Sequence, residues 1–319
     1  MKKILLIINP IAGTGRKDDI AFLTKSRLEA AGASVDVRLT EKKGDATDFA
    51  ESAVREGYYG VVAAGGDGTI NETAMALCET DVVLGIIPCG SGNGLARHFG
   101  IHVDTEAAID VISHDNIMEV DYGTVNKRPF FCTCGVGFDA AVSDRFARQN
   151  HRGMLMYIKS AIEAYLHFKP TDYVIYANGK ALTERAFLVA CCNTTQYGNN
   201  AYIAPKADIT DGLLDVTIMH AGNIFQDAIA GIDLMSGQID NNIKIDTFKA
   251  SEIRIVRKND GPAHIDGEPV DLTDDLNVKC HHKGLKVFTP LYIEPVMPFV
   301  TPIMSRWEEF VTSINHLLR

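Results

Sequence analysis

Between Ala64 and Glu72 the chain reads Ala-Gly-Gly-Asp-Gly-Thr-Ile-Asn-Glu, directly after a short apolar run and opening a stretch with helical periodicity. Glycines there let the backbone come close to phosphate oxygens. The N-terminus of a following helix adds unpaired N–H groups and the positive end of its dipole. Asp67, held among those amides, suits a magnesium ion or a nucleophilic hydroxyl better than a phosphate. Two further turns of this kind follow other apolar runs, Asn9-Pro10-Ile11-Ala12-Gly13-Thr14-Gly15 and Pro88-Cys89-Gly90-Ser91-Gly92-Asn93-Gly94. One such turn alone can be no more than a tight strand-to-helix connection with its cap. Three on one sheet edge make a nucleotide cradle.

The elements that must hold these turns are legible as a rhythm. Over the first 125 residues apolar runs alternate with helical stretches, which is the signature of a parallel sheet whose ligands sit at the carboxyl ends of its strands. Lys3–Asn9, Ser34–Leu39, Gly60–Ala64 and Val82–Pro88 read as strands, and Asp18–Ala31, Asp45–Glu56, Ile70–Cys78 and Thr105–Ser113 as helices. After Tyr122-Gly123 the pattern changes to β-branched alternation, with Asn178-Gly179 as a hairpin signal between Tyr173–Tyr176 and Ala186–Cys191. Helical stretches near Met154–Phe168 and Ile224–Met235 interrupt this β-rich half. Residues 303–318 carry a one-sided apolar stripe expected to form a docking helix that returns to the first domain. The fold class expected is therefore α/β. An N-terminal parallel-sheet domain spans residues 1–124 with the segment 293–319, and a predominantly β domain spans 125–292. The joint is expected near residues 122–128, with the active site in the crevice between the domains.

Composition narrows the function classes. No apolar run approaches the roughly 20 residues that span a bilayer. The net charge of −10 speaks against a nucleic-acid partner, whose phosphates need many Lys and Arg. It leaves contact with a membrane surface open through a local basic stretch. Arg145, Arg148, His151, Arg152 and Lys159 form such a stretch, read first as a solvated helix face. Seven cysteines, including Cys132/Cys134 and Cys191/Cys192 in strand-like runs, suit core packing in a reducing cytoplasm, and no second pair or histidine cluster completes a zinc site. His281 and His282, being adjacent, point to opposite faces of a strand and make a poor metal pair.

The GGDGT-Asn-Glu run, the upstream N-P-x-A-G and the downstream G-S-G-N together resemble the catalytic domain shared by diacylglycerol and sphingosine kinases. The second half resembles the same family through Pro205-x-Ala207-x-x-x-Asp211-Gly212-Leu213-Leu214-Asp215 and Asp266-Gly267-Glu268. The resemblance implies an NAD kinase/diacylglycerol kinase-like fold and an ATP- and magnesium-dependent lipid kinase. By the same carry-over ATP would meet Asn9, Thr40, Gly66, Asp67, Gly68, Thr69, Ile70, Asn71, Glu72 and Ser91. Glu268 becomes the general base, with Asp67 the alternative for that role, and Asp67 and Asp121 hold the catalytic magnesium network. A second, structural magnesium would lie at Asp208, Asp211 and Leu213. Unaided, these last residues read as an Asp-Gly turn capped by its own side chain, and Asp266-Gly267-Glu268-Pro269 reads as an exposed turn.

Where diacylglycerol kinases usually carry Asn-Asp, this chain has Asn93-Gly94, which is closer to sphingosine kinases. Those enzymes meet the amine of a sphingoid base with an acidic residue early in the second domain, for which Asp139 and Asp144 are the candidates. The acceptor thus stays open between diacylglycerol and a sphingoid base. An NAD kinase-like phosphotransferase and a catalytically silent nucleotide- or lipid-binding regulator are the rival readings. The expected partner is a lipid at the membrane surface, met by a cytoplasmic protein in peripheral contact with the inner face, and a homodimer is left open.

Overall fold

The computed structural model describes residues 1–13, 17–147, 163–165, 167–198, 201–258 and 261–292. The segment 303–318, most of the stretch Met154–Phe168, and Arg148, His151, Arg152 and Lys159 lie outside them. The first half alternates β1 (Lys2–Ile8), α1 (Lys17–Ala30), β2 (Ala33–Leu39), α2 (Asp45–Arg55), β3 (Gly60–Gly65), α3 (Asp67–Leu77), β4 (Val83–Pro88), α4 (Gly94–His98) and α5 (Thr105–Ser113). The second is mostly strand: β5 (Ile117–Val125), β6 (Arg128–Phe130), β7 (Thr133–Gly137), β8 (Thr171–Ala177), β9 (Lys180–Cys192), β10 (Leu214–His220), β11 (Ile245–Ala250), β12 (Glu252–Arg257), β13 (Ala263–Ile265), β14 (Glu268–Val270) and β15 (Asp275–Phe288). Helices α6 (Phe138–Ala147) and α7 (Ile224–Ser236) interrupt it. The protein is thus α/β, with a parallel N-terminal sheet and a β-rich C-terminal half.

Strands β2-β1-β3-β4 are parallel neighbours in that order. Leu5, Leu6, Ile7 and Ile8 are all fully buried although successive side chains point to opposite faces, so both faces of β1 are covered. Each such Leu or Ile contributes about 1.5–3 kcal/mol of burial free energy. The order reverses at β1, from which β2 lies on one side and β3 on the other, and this is the topological switch point where ligands of open α/β sheets bind. Register aligns the strand ends there: Ile8 is opposite both Leu39 and Ala64, and Gly65 is opposite Pro88.

The two halves share one hydrogen-bonded sheet rather than meeting through a linker. Residues 122–125 of the expected joint continue β5, and the chain turns only at Asn126-Lys127, both at positive φ. Strand β15 pairs first with β12, then with β5, and reaches β4 in parallel at Val287 opposite Leu84. Between His281 and Leu285 its register with β5 slips. Asp121 of β5 is placed at this irregularity, its side chain fully buried. Its carboxylate accepts the N–H of Lys283 at 2.7 Å and that of Gly212 at 2.6 Å, with His282 Nδ1 at 2.9 Å. The carboxylate thereby joins three segments.

Replacing Asp121 by Ala leaves two part-buried N–H groups without their acceptor and a cavity at a fully buried side chain, so unfolding free energy should fall by about 2 kcal/mol in urea titrations. A loss under about 1 kcal/mol would remove Asp121 from this structural role.

Candidate active site

The three glycine turns interlock at the strand ends. A Cβ on Gly90 would come within 2.8 Å of Gly66 Cα, and one on Gly13, whose φ is +66°, within 2.2 Å of the Cys89 carbonyl oxygen. Main chain alone fits in these gaps. The ladder continues past the strands, with the N–H of Asn9 on the Ala64 carbonyl, that of Thr40 on Ile8 and that of Cys89 on Gly65. Asn93 adopts the left-handed conformation and locks its own turn, its Oδ1 accepting from Gly90 N–H and its Nδ2 donating to the Gly90 carbonyl. A small polar side chain that tolerates positive φ suits this position.

Asp67 opens α3 and binds the next turn. Its Oδ2 accepts the N–H of Asn93 at 2.9 Å and its Oδ1 that of Gly94 at 2.7 Å. Each oxygen retains a lone pair beyond these single bonds, which fits a hard, oxygen-seeking cation such as magnesium. A Cβ at Gly94 would emerge 3.3 Å from Cys132 Sγ and 3.9 Å from Asp67 Oδ1, so an acidic residue there would crowd this carboxylate. Asn9 Nδ2 donates to Thr69 Oγ1 at 3.0 Å and ties the first turn to α3. Gly66 precedes the helix, whose first N–H groups, from Asp67 to Thr69, have no intrahelical acceptor.

Not every residue expected to meet nucleotide is turned toward it. Ile70 is buried in the sheet core. The Glu72 carboxylate accepts the Gly44 N–H at 3.0 Å, and its carbonyl accepts from Thr47 Oγ1, so it braces α2. Thr40 is buried, whereas Ser91 is exposed at its turn.

The Asp266-Gly267 turn is indeed tight. Both residues have positive φ, 48° and 78°, the type I′ pattern that joins β13 to β14. It is not merely solvated, however. Asp266 Oδ1 accepts the N–H groups of Cys132 and Thr133, and Oδ2 those of Phe131 and the Asn71 side chain, all at 2.8–3.0 Å. One carboxylate therefore links α3 of the first half to β7 of the second. Burial pushes its pKa up to about 6, against the pull of the backbone donors. Two residues on, Glu268 Oε1 lies 3.6 Å from where a Gly68 Cβ would stand, and Oε2 pairs with Lys43 Nζ at 3.0 Å. Glu268 and the Asp67–Thr69 turn thus face each other.

Other expected residues are committed elsewhere. No hydrogen bond or ion pair among the described residues joins Asp121 to Asp67 or Glu268, and its fully buried carboxylate is turned instead to Gly212, His282 and Lys283. The Asp208 carboxylate turns to the N–H and hydroxyl of Thr210. Asp211 accepts from Leu213 N–H and pairs with Lys249 Nζ at 2.7 Å, so an ammonium meets the charge assigned to a structural magnesium. No group of three or more His, Cys, Asp or Glu side chains among the described residues is placed to hold a metal. Asp139 is buried, with the N–H of Ala140, Tyr197 Oη and His264 Nε2 on its oxygens. A separate cavity of about 200 Å³, lined in part by Lys206, Asp215, Asp240 and Lys249, contains none of the residues expected to meet nucleotide.

Asn93 and Asp266 entered the sequence reading only as members of motifs, without the hydrogen-bonding roles they have here, and Lys43 was not singled out. Asn after Gly, and Asp-Gly between short strands, are signals for positive φ that fit the turns these first two residues make. Nothing in the local sequence marks Lys43.

Gly90→Ala should raise the dissociation constant for ATP at least tenfold by forcing the Gly66 and Gly90 backbones apart, while the protein stays folded by circular dichroism. An unchanged constant would remove the interlocked turns from nucleotide binding.

Sequence and structure comparisons place the chain among known proteins. The profile of the diacylglycerol kinase catalytic domain matches residues 3–125, and that of the YegS C-terminal NAD kinase beta sandwich-like domain matches residues 132–289. A Streptococcus pneumoniae protein named provisionally as a lipid kinase is 31% identical over 286 residues, covering 88% of this chain and 94% of its own. A Mycobacterium tuberculosis diacylglycerol kinase is 30% identical over 224 residues, covering 68% and 72%. The crystal structure of a diacylglycerol kinase from Bacillus anthracis superposes with a TM-score of 0.73 at 20% identity, over 92% of this chain and 98% of that one, and shares the fold. The chain belongs to the diacylglycerol kinase family of lipid kinases.

Proposed function

We propose that this kinase transfers the γ-phosphoryl group of ATP to the free hydroxyl of diacylglycerol. The observation that carries the reading is the juxtaposition of Glu268 with the first turn of α3, where a carboxylate faces a phosphate-binding helix end. A lipid hydroxyl is a very weak acid, so a carboxylate within hydrogen-bond reach is needed to take its proton as the new P–O bond forms. Glu268, half-exposed on β14, suits that role. Asp67 would hold magnesium, which when bound neutralises charge on the phosphate oxygens. Its two amide bonds leave it poorly placed to serve as the base as well. The glycine turns receive the phosphates, and Asn9 and Thr69 fix the rim.

Of Asp139 and Asp144, the two carboxylates expected to meet a sphingoid amine, Asp139 is already occupied, which supports the neutral acceptor. An amine needs a free carboxylate, and this one already receives three donors. No helix among the described residues is long and apolar enough to cross a membrane, which accords with a kinase that reaches its lipid by peripheral contact with the inner face.

The protein incubated with magnesium and γ-labelled ATP should label diacylglycerol in mixed micelles, and label sphingosine, dihydrosphingosine and NAD at least a hundredfold more slowly. Preferential labelling of a sphingoid base or of NAD would overturn the assignment.

A further inference from the structure

Lys43 stands at the edge of the site on a loop built with unusual care. The buried Asp45 Oδ2 accepts the N–H groups of both Glu41 and Lys42, at 2.7 and 2.9 Å. The Glu72 carboxylate takes the N–H of Gly44, which sits at φ +96°. Thr47 anchors the following helix to the Glu72 carbonyl. The backbone on both sides of Lys43 is thereby fixed, while its own side chain is 80% exposed. Its ammonium meets Glu268 Oε2 at 3.0 Å, and that carboxylate holds the Lys43 pKa above its ordinary value. An ion pair this exposed contributes little to stability. A rigid loop for a side chain that stabilises little points to another role.

We infer that Lys43 is a ligand of the terminal phosphate of ATP, and that in the nucleotide-free protein Glu268 holds it in reserve. The ammonium is a compact point charge on a flexible stem, able to move without the loop moving. Glu268 carries one negative charge, whereas the triphosphate carries several, so Coulomb attraction favours transfer of the ammonium to the nucleotide when it arrives. The same movement uncovers Glu268, the proposed base, only once there is a phosphoryl group to transfer. No bond is made or broken in this step. The inference rests on the assignment of the site to ATP, but not on the identity of the acceptor.

Calorimetric titration with Mg-ATP and Mg-ADP tests it without any turnover. Lys43→Gln should weaken ATP about tenfold and leave ADP within twofold, and Lys43→Arg should restore ATP to within threefold of the wild type. Glu268→Gln should tighten ATP binding severalfold by releasing the ammonium, and should lose that gain when combined with Lys43→Gln. ATP and ADP both unchanged would make the pair an incidental surface contact. Both weakened equally would make Lys43 a support of the loop, and either result overturns the inference. A wild type that binds ATP with this pattern yet labels no lipid would refute the lipid kinase reading and leave the phosphate contact standing.

Discussion

The site depends on the four N–H donors gathered by the Asp266 carboxylate. Three come from consecutive backbone amides at the start of β7 and one from Asn71 on α3. Because these donors belong to both halves, the position of β14 relative to the nucleotide turn is set by one buried anion. Leaving such a set of donors unpaired costs several kcal/mol, so the turn that carries Glu268 has few alternatives. Beneath it, His264 receives the Gly267 N–H on Nδ1 and faces Asp139 through Nε2, which supports the same turn from the other side.

The acidic residues sort by how many of their lone pairs the protein consumes. Asp266 receives four N–H donors and Asp121 two, with His282 Nδ1 beside it, and both act as joints between segments, as Asp139 does with its own three partners. Asp67 spends one bond per oxygen and keeps acceptor capacity facing the strand ends. Among the described residues Glu268 has a single partner, an exposed ammonium that can leave. The same side-chain chemistry is thus tied down to very different degrees by its donors, and sequence position alone does not separate these cases.

Much of the fold was legible. Strand runs such as Ile4–Ile8 and the Asn178-Gly179 hairpin carry local periodicity and turn chemistry, and the structure has β1 and the β8–β9 hairpin where these signals lie. Helix α3 begins at Asp67, three residues earlier than periodicity suggests, because the glycines that hide the helical pattern are those that let its N-terminus approach a phosphate. Less legible were the long-range pairings. Asp121 looks like a free acid in sequence, and its donors come only with the fold, from the slipped register of β15 and from Gly212. The expected joint near residues 122–128 reads as a boundary because composition changes there, and β5 extends into it as far as Val125 before the chain turns at Asn126-Lys127. Lys43 and Glu268 are 225 residues apart and meet only in the folded chain.

Glu268→Gln gives the most direct test of the central claim, because it keeps the size and hydrogen-bonding reach of the side chain and removes only its basicity. Steady-state kinetics with diacylglycerol should show kcat reduced by about a thousandfold, within the range expected for a lost general base, with ATP binding retained. A kcat within tenfold of the wild type would contradict the assignment of Glu268 and return the role of base to Asp67.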